Sequence, residues 1–143
     1  MREAVAARQA ERMAHRFVEH VGEVEVELEA DSETGIFASA LAAFAELVGA
    51  GEGGEPAVHV VELTADDPPL LLVEWLNELV YLAEVEQFVP ERLAAIDLLD
   101  GRLRATVAGR RAAPRHLVKA VTLSRLELDR DGARWHGRVV LDV

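Results

Sequence analysis

The carboxylates at the end of the sequence are the first candidates for chemistry. Asp142 is the penultimate residue, so its side chain lies one residue from the α-carboxylate of Val143. Two anionic groups this close repel each other unless a cation or strong hydrogen-bond donors lie between them. Glu23 adds a third carboxylate if the strand that begins with it lies beside the last strand. Three oxygen ligands without sulfur favour Ca²⁺ or Mg²⁺ over zinc. The alternative is a solvated Asp142 and a Glu23 that is one acid among many.

Four further residues could support such a site. His20, three residues before Glu23, could orient the carboxylates through a hydrogen bond, or it could be a half-buried structural histidine. His116 and Lys119 form a small basic group, and Lys119 is the only lysine among 15 basic residues. Its compact ammonium suits contact with a protein partner or a phosphate, and an ordinary solvated strand edge is the alternative. Ser124 lies close to them in the sequence, where the strand pattern changes.

Nucleophilic catalysis has little support in the sequence. No cysteine is present, which excludes thiolate nucleophiles, thiolate metal sites and disulfides. The three serines are Ser32, Ser39 and Ser124, and none stands in a nucleophile-elbow pattern. A hydrolase with paired carboxylates stays open as an alternative, although acids this abundant form pairs by chance. Aromatic residues make up only 5% of the chain, which is too few for an RNA-stacking platform.

The net charge of −11 is unevenly distributed along the chain. Residues 1–100 contain 22 acidic and 5 basic residues, whereas residues 101–143 contain 4 and 10. An acidic surface repels phosphate, so stable, direct binding of nucleic acid is not expected. Such a surface suits a basic protein partner or a bound cation, and a merely solubilising charge is the alternative.

The composition predicts one folded domain. Apolar residues make up 50% of the 143 residues, which is enough for a single core. No apolar run approaches the roughly 18 residues of a membrane span, and no signal-peptide pattern is present. We therefore expect a cytoplasmic protein without membrane contact. Residues 1–16 are expected to form an N-terminal extension, either helical or loose, and residues 17–143 a single domain.

The hydrophobic pattern predicts two helices and several strands. Strict alternation over residues 23–30 indicates a half-buried strand with one acidic face. Ser32 and Asp67 are expected to cap helices that run to about residues 48 and 85. Further strands are expected at residues 57–63, 88–89 with 93–99, 102–108, 117–128 and 134–142. This order predicts an α+β domain of two layers, with two helices packed on a mainly antiparallel sheet.

One of these strands has apolar residues on both parities. Val121 and Leu123 share one parity, and Leu126 and Leu128 share the other. The strand can bury both pairs only if a bulge or bend lies between them, near Ser124 and Arg125. Bulges often lie beside functional sites, and protection of a sheet edge is an equally common reason for them.

Several motifs resemble the archease family in one order and at one spacing. Residues 20–23 (His-Val-Gly-Glu) resemble the family's opening His-Thr-Ala-Asp, and residues 72–82 resemble its second helix. Residues 118–122 match the family's Val-Lys-Ala-Val-Thr, and the chain ends on an aspartate followed by one apolar residue, as the family does. The resemblance covers about residues 17–143.

Three positions depart from the family pattern. Glu23 replaces the aspartate of the opening motif, and Gly35 replaces the acid that caps the first helix. Leu123-Ser124 stands where the family has Tyr-His, so the usual histidine is lost. This chain therefore resembles a divergent member, and the departures bear most directly on the metal site.

The resemblance implies an activator protein and not an independent enzyme. Archeases help an RNA ligase of the tRNA-splicing type, which joins 2′,3′-cyclic-phosphate and 5′-hydroxyl ends of RNA, by promoting its guanylylation and multiple turnover. By this resemblance, Glu23, Asp142 and Val143 would hold a divalent metal, with Ca²⁺ the first choice and Mg²⁺ the second. Residues around the metal or in contact with the partner would be His20, His116, Lys119 and Ser124. The alternatives are a small stand-alone metal-dependent hydrolase and a divergent binding protein that has lost the metal site.

Overall fold

Seven strands and two helices make up the part of the chain that the computed structural model describes, residues 12–49 and 53–143. Their order is β1 (Met13–His20), β2 (Glu23–Ala30), α1 (Glu33–Val48), β3 (Glu55–Thr64), α2 (Pro68–Glu84), β4 (Phe88–Leu99), β5 (Arg102–Arg111), β6 (Ala120–Asp131) and β7 (Arg134–Asp142). Neither helix is long and apolar enough to cross a membrane. The predicted α+β class is confirmed.

The strands form two sheets where one was expected. A four-stranded sheet has the order β1-β2-β7-β6, and a three-stranded sheet has the order β3-β5-β4. All neighbouring strands in both sheets are antiparallel. Both helices contact strands of both sheets, so the helices join the two sheets through one core.

Both helices begin at the predicted capping residues. The Ser32 Oγ accepts a hydrogen bond from the Gly35 N–H at 3.0 Å, and the Asp67 Oδ1 accepts one from the Leu70 N–H at 2.9 Å. These bonds satisfy N–H groups that have no partner within the first helical turn. Pro68 follows Asp67, at a position where its missing N–H costs nothing. The two helix starts are therefore set by local chemistry.

The core is formed by the two helices, the apolar face of β2 and buried side chains of both sheets. The β2 side chains on that face are at most 7% exposed, and they are Val24, Val26, Leu28 and Ala30. On the helix side, Trp75 is 0% exposed, and its Nε1–H donates to the Phe37 carbonyl oxygen at 3.0 Å. The Phe37 and Trp75 rings meet edge to face, with centroids 6.4 Å apart. This contact ties α2 to α1 by both packing and a buried hydrogen bond.

The first strand begins before the predicted domain boundary at residue 17. β1 pairs with β2 from Met13 opposite Ala30 to His20 opposite Glu23. Residues 13–16 are therefore strand, and the predicted helical or loose extension is corrected for them, because hydrogen bonding to β2 overrides their weak local preference. Residues 1–11 of that extension lie outside the described residues.

The bulge expected in β6 is present. Thr122 pairs with Val140 and Glu127 with Arg138, so the four residues from Leu123 to Leu126 oppose only Val139. Arg125 within this segment has φ 54°, a left-handed conformation. The bulge lets residues of opposite parity share one face of the strand. Val121 before the bulge and Leu128 after it both pack on the core, whereas Leu123 within it is 64% exposed.

The buried bond between the helices gives a test of the core. Trp75→Phe removes the indole N–H and shrinks a fully buried side chain, and we expect it to lower the free energy of unfolding by about 1–3 kcal/mol. Tyr81→Phe is the matched control on the same helix, because Tyr81 is 48% exposed. This variant should lower the free energy of unfolding by less than about 0.5 kcal/mol. Urea unfolding followed by circular dichroism measures both, and equal losses would contradict the assigned packing.

Candidate functional site

One end of the four-stranded sheet joins residues from both ends of the sequence. The turn Val21-Gly22 connects β1 to β2 and places His20 opposite Glu23. Gly22 has φ 75°, a conformation that favours glycine in tight hairpin turns. On the other side of β2, Glu23 lies opposite Asp142 of β7. Side chains at directly opposed positions share a face and lie about 4.5–5.5 Å apart at Cβ, so His20, Glu23 and Asp142 form a row across the sheet.

Backbone hydrogen bonds attach the neighbouring segments to this row. The Asp142 carbonyl oxygen accepts a hydrogen bond from the Lys119 N–H at 2.7 Å, and the Val143 N–H donates to the Gly22 carbonyl oxygen at 3.1 Å. Ala120 is the next residue in the row, opposite Asp142. Residues 20–23, 119–120 and 142–143 therefore meet at one end of the sheet; we call this end the β2–β7 end.

Two of the predicted residues lie at the border of this end. His116 is exposed, and its backbone N–H donates to the Val48 carbonyl oxygen at the end of α1 at 2.9 Å. Ser124 is exposed in the β6 bulge, where its N–H donates to the Thr122 Oγ1 at 3.2 Å. Lys119 and His20 are also exposed, so their side chains are accessible to a partner.

Arg125 is the residue of this region whose role the sequence did not predict. Its Nη2 lies 3.5 Å from the Glu23 Oε1, and its Nε donates to the Glu25 Oε1 at 3.1 Å. The Glu25 side chain is only 12% exposed. A signal did exist in the sequence, because the acidic face of residues 23–29 requires cations and most basic residues lie after residue 100.

Arginines pair with the rest of the acidic β2 face as well. Arg16 donates from Nε to the Glu27 Oε1 at 2.9 Å, and this hydrogen bond holds the pKa of Glu27 below its usual range. Arg134 pairs with Glu29 and Asp31. The pKa of Asp31 is also lowered. The larger cause is a hydrogen bond from the backbone N–H of Arg12, and the second is a hydrogen bond from the side chain of Arg134. The ionised forms of Glu27 and Asp31 are therefore stabilised by these neighbours.

The described side chains do not form a metal-ligand set by themselves. Among residues 12–49 and 53–143, no three His, Cys, Asp or Glu side chains are grouped so that they could hold a metal ion. Glu23 and Asp142 are opposed, but the Glu23 carboxylate is already paired with Arg125. The Ca²⁺ or Mg²⁺ ion at Glu23, Asp142 and Val143 stays a prediction.

Two solved structures share this arrangement of strands and helices. A solution structure of protein 1598 from Methanobacterium thermoautotrophicum superposes with a TM-score of 0.69 at 25% identity, over 90% of this chain and 98% of that chain. The crystal structure of an archease from Thermotoga maritima, described as a possible chaperone, superposes with a TM-score of 0.63 at 20% identity. That likeness covers 98% of this chain and all of the other chain, and it shows the fold.

Comparison of sequences gives the family. The archease from Methanosarcina acetivorans is 30% identical over 90% of this chain and 95% of its own length. The archease from Pyrobaculum calidifontis is 29% identical over the same shares of the two chains. The model of the Archease protein family (MTH1598/TM1083) matches residues 15–143, and the chain therefore belongs to the archease family.

Proposed function

We propose that this archease activates an RNA ligase of the tRNA-splicing type by binding it through the β2–β7 end of the sheet. The observation that supports this proposal is the convergence of three segments that are distant in the sequence. The opening turn with His20 and Glu23, the strand start with Lys119, and the terminal Asp142 meet there through direct pairing and backbone hydrogen bonds. These are three of the segments in which the chain resembles its family.

The side chains around this end support the proposal of a protein-binding site. Four aliphatic side chains next to the paired segments are exposed, by 39% or more, and they are Val21, Leu117, Leu123 and Val143. Exposed apolar groups among charged ones are typical of protein interfaces, where the apolar part loses water and the charges orient the partner. Lys119 and His116 give this mainly acidic protein a local basic group at the same place.

Direct recognition of RNA fits the surface less well. The net charge of −11 opposes binding to phosphate. The large aromatic side chains are mainly in the core, since Phe37, Phe44, Trp75 and Phe88 are at most 1% exposed. Bases cannot stack on buried rings. The ligase, and not this chain, would therefore hold the RNA.

A binding protein can accelerate guanylylation without contributing a catalytic group. It must bind the reactive conformation of the ligase more tightly than its other conformations, because a ligand shifts an equilibrium only by its differential affinity. A tenfold preference corresponds to about 1.4 kcal/mol, which a few apolar and charged contacts at the β2–β7 end can provide. Release of the activator after the step would then allow multiple turnover.

The rival function is a stand-alone hydrolase that uses Glu23 and Asp142. Such an enzyme needs a cleft that encloses its substrate and limits access of water. Two surface depressions, of about 540 and 430 Å³, lie at the turn between β4 and β5, and neither is lined by Glu23 or Asp142. Neither depression therefore provides a hydrolase with a cleft around these carboxylates, which favours the activator.

The activator proposal predicts activity only in the presence of the ligase. Added to a cognate ligase with GTP and RNA that has 2′,3′-cyclic-phosphate and 5′-hydroxyl ends, the protein should raise the number of joined molecules per ligase. The protein without ligase should neither join nor cleave the RNA. Joining or cleavage by the protein alone, abolished by Asp142→Asn, would establish the rival hydrolase or ligase.

Lys119 is the residue for a test of the binding surface. Lys119→Ala removes an exposed ammonium and retains the backbone bond to Asp142, so the unfolding temperature should not change. We expect the concentration for half-maximal activation to rise about tenfold, which is ~1.4 kcal/mol. Arg102→Ala is the matched control, because Arg102 is an exposed base of the three-stranded sheet. Identical activation curves for wild type, Lys119→Ala and the control would contradict contact through Lys119.

A further inference from the structure

The β6 bulge places a positive charge directly on the acidic face of β2. Arg125 adopts φ 54°, which costs a residue with a Cβ free energy relative to a right-handed conformation. Two interactions offset that cost. The Arg125 carbonyl oxygen accepts a hydrogen bond from the Arg138 Nε at 2.9 Å, and the Arg125 side chain pairs with Glu25 and Glu23. The bulge is therefore held through both its backbone and its side chain.

Glu25 is the anchor of this arrangement. Its carboxylate is one of two buried polar or charged side chains among the described residues, and it lies opposite Val140, which is 0% exposed. A carboxylate with so little access to water needs a cation or hydrogen-bond donors beside it. The Arg125 Nε provides that partner at 3.1 Å, and the same planar guanidinium then presents its Nη2 to Glu23 at 3.5 Å. Glu25 thus fixes the guanidinium beside Glu23.

The guanidinium lies where a second cation would need to approach. A Ca²⁺ or Mg²⁺ ion at Glu23 and Asp142 would either stand close to a positive charge or displace it from Glu23. Displacement would also disturb the pair with the buried Glu25, because the same guanidinium serves both carboxylates. Both routes weaken binding of a divalent ion.

We infer that Arg125 is the resident cation of the β2–β7 end in this chain, and that it replaces a divalent metal ion at Glu23. The protein then needs no Ca²⁺ or Mg²⁺ to hold Glu23 and Asp142 together. This inference concerns ion binding by the isolated protein, so it stands or falls independently of ligase activation.

Removal of the arginine charge should create the metal site that the arginine excludes. Arg125→Asn removes the guanidinium and suits the left-handed backbone, which asparagine adopts more readily than most residues. Arg125→Gln is a second variant, because its amide can still donate to Glu25 without the charge, which favours folding if the first variant is unstable. Arg16→Gln is the matched control, since it removes an arginine from Glu27 on the same face.

The experiment is thermal unfolding and calorimetric titration of wild type, the two Arg125 variants, Arg16→Gln and Asp142→Asn with CaCl₂, MgCl₂ or EDTA, at equal ionic strength set with KCl. The unfolding temperature of wild type and Arg16→Gln should be the same in all three solutions, and titration should show no saturable heat. In Arg125→Asn or Arg125→Gln, either divalent ion should raise the unfolding temperature by about 5–10 °C when the ion is in hundredfold excess over its dissociation constant.

Two results would overturn the inference. One is saturable binding of Ca²⁺ or Mg²⁺ by the wild-type protein that Asp142→Asn abolishes, because the ion would then coexist with Arg125. The other is the absence of any divalent-dependent stabilisation in both Arg125 variants, since the arginine would then exclude nothing.

Discussion

The register of β2 between β1 and β7 is the constraint on which the rest of the structure depends. Side chains alternate between the two faces of a strand, so a slip by one residue would exchange the buried valines and leucine of β2 for its glutamates. The apolar face lies against the helices, where burial of each large aliphatic side chain stabilises the fold by about 1.5–3 kcal/mol. The same register places Glu23 opposite both His20 and Asp142. The core thus determines the geometry of the β2–β7 end.

The acidic face of β2 in turn explains the uneven charge of the chain. Arginines from the basic last third pair with it, Arg125 with Glu23 and Glu25 and Arg134 with Glu29 and Asp31. Most of these pairs are exposed, and such pairs contribute only about 0–1 kcal/mol each. Their main effect is on specificity, because a slip of β2 by one residue would turn its glutamates towards the core and away from these arginines. The acidic and basic parts of the sequence are complementary within one sheet.

The same sheet end meets two different requirements. The pairing of β2 with β7 and the bonds from Lys119 and Val143 hold the backbone of this end firmly. The side chains above that backbone include exposed aliphatics and an exposed lysine, which add little to the stability of the isolated domain. A rigid backbone that presents exposed side chains favours binding, because the backbone loses little conformational entropy when a partner docks.

The sequence by itself determined the features that depend on neighbouring residues. Caps at Ser32 and Asp67, the alternation of β2 and the bulge near Ser124 were all predicted correctly, because each follows from spacing within a few residues. Only the tertiary structure decided that the strands form two sheets, that β1 begins at Met13, and that Arg125 reaches Glu25 from 100 residues away. The pairing of strands and the meeting of charges depend on burial of a shared core. The free energy of that burial comes from residues far apart in the sequence, so spacing between neighbours does not reveal it.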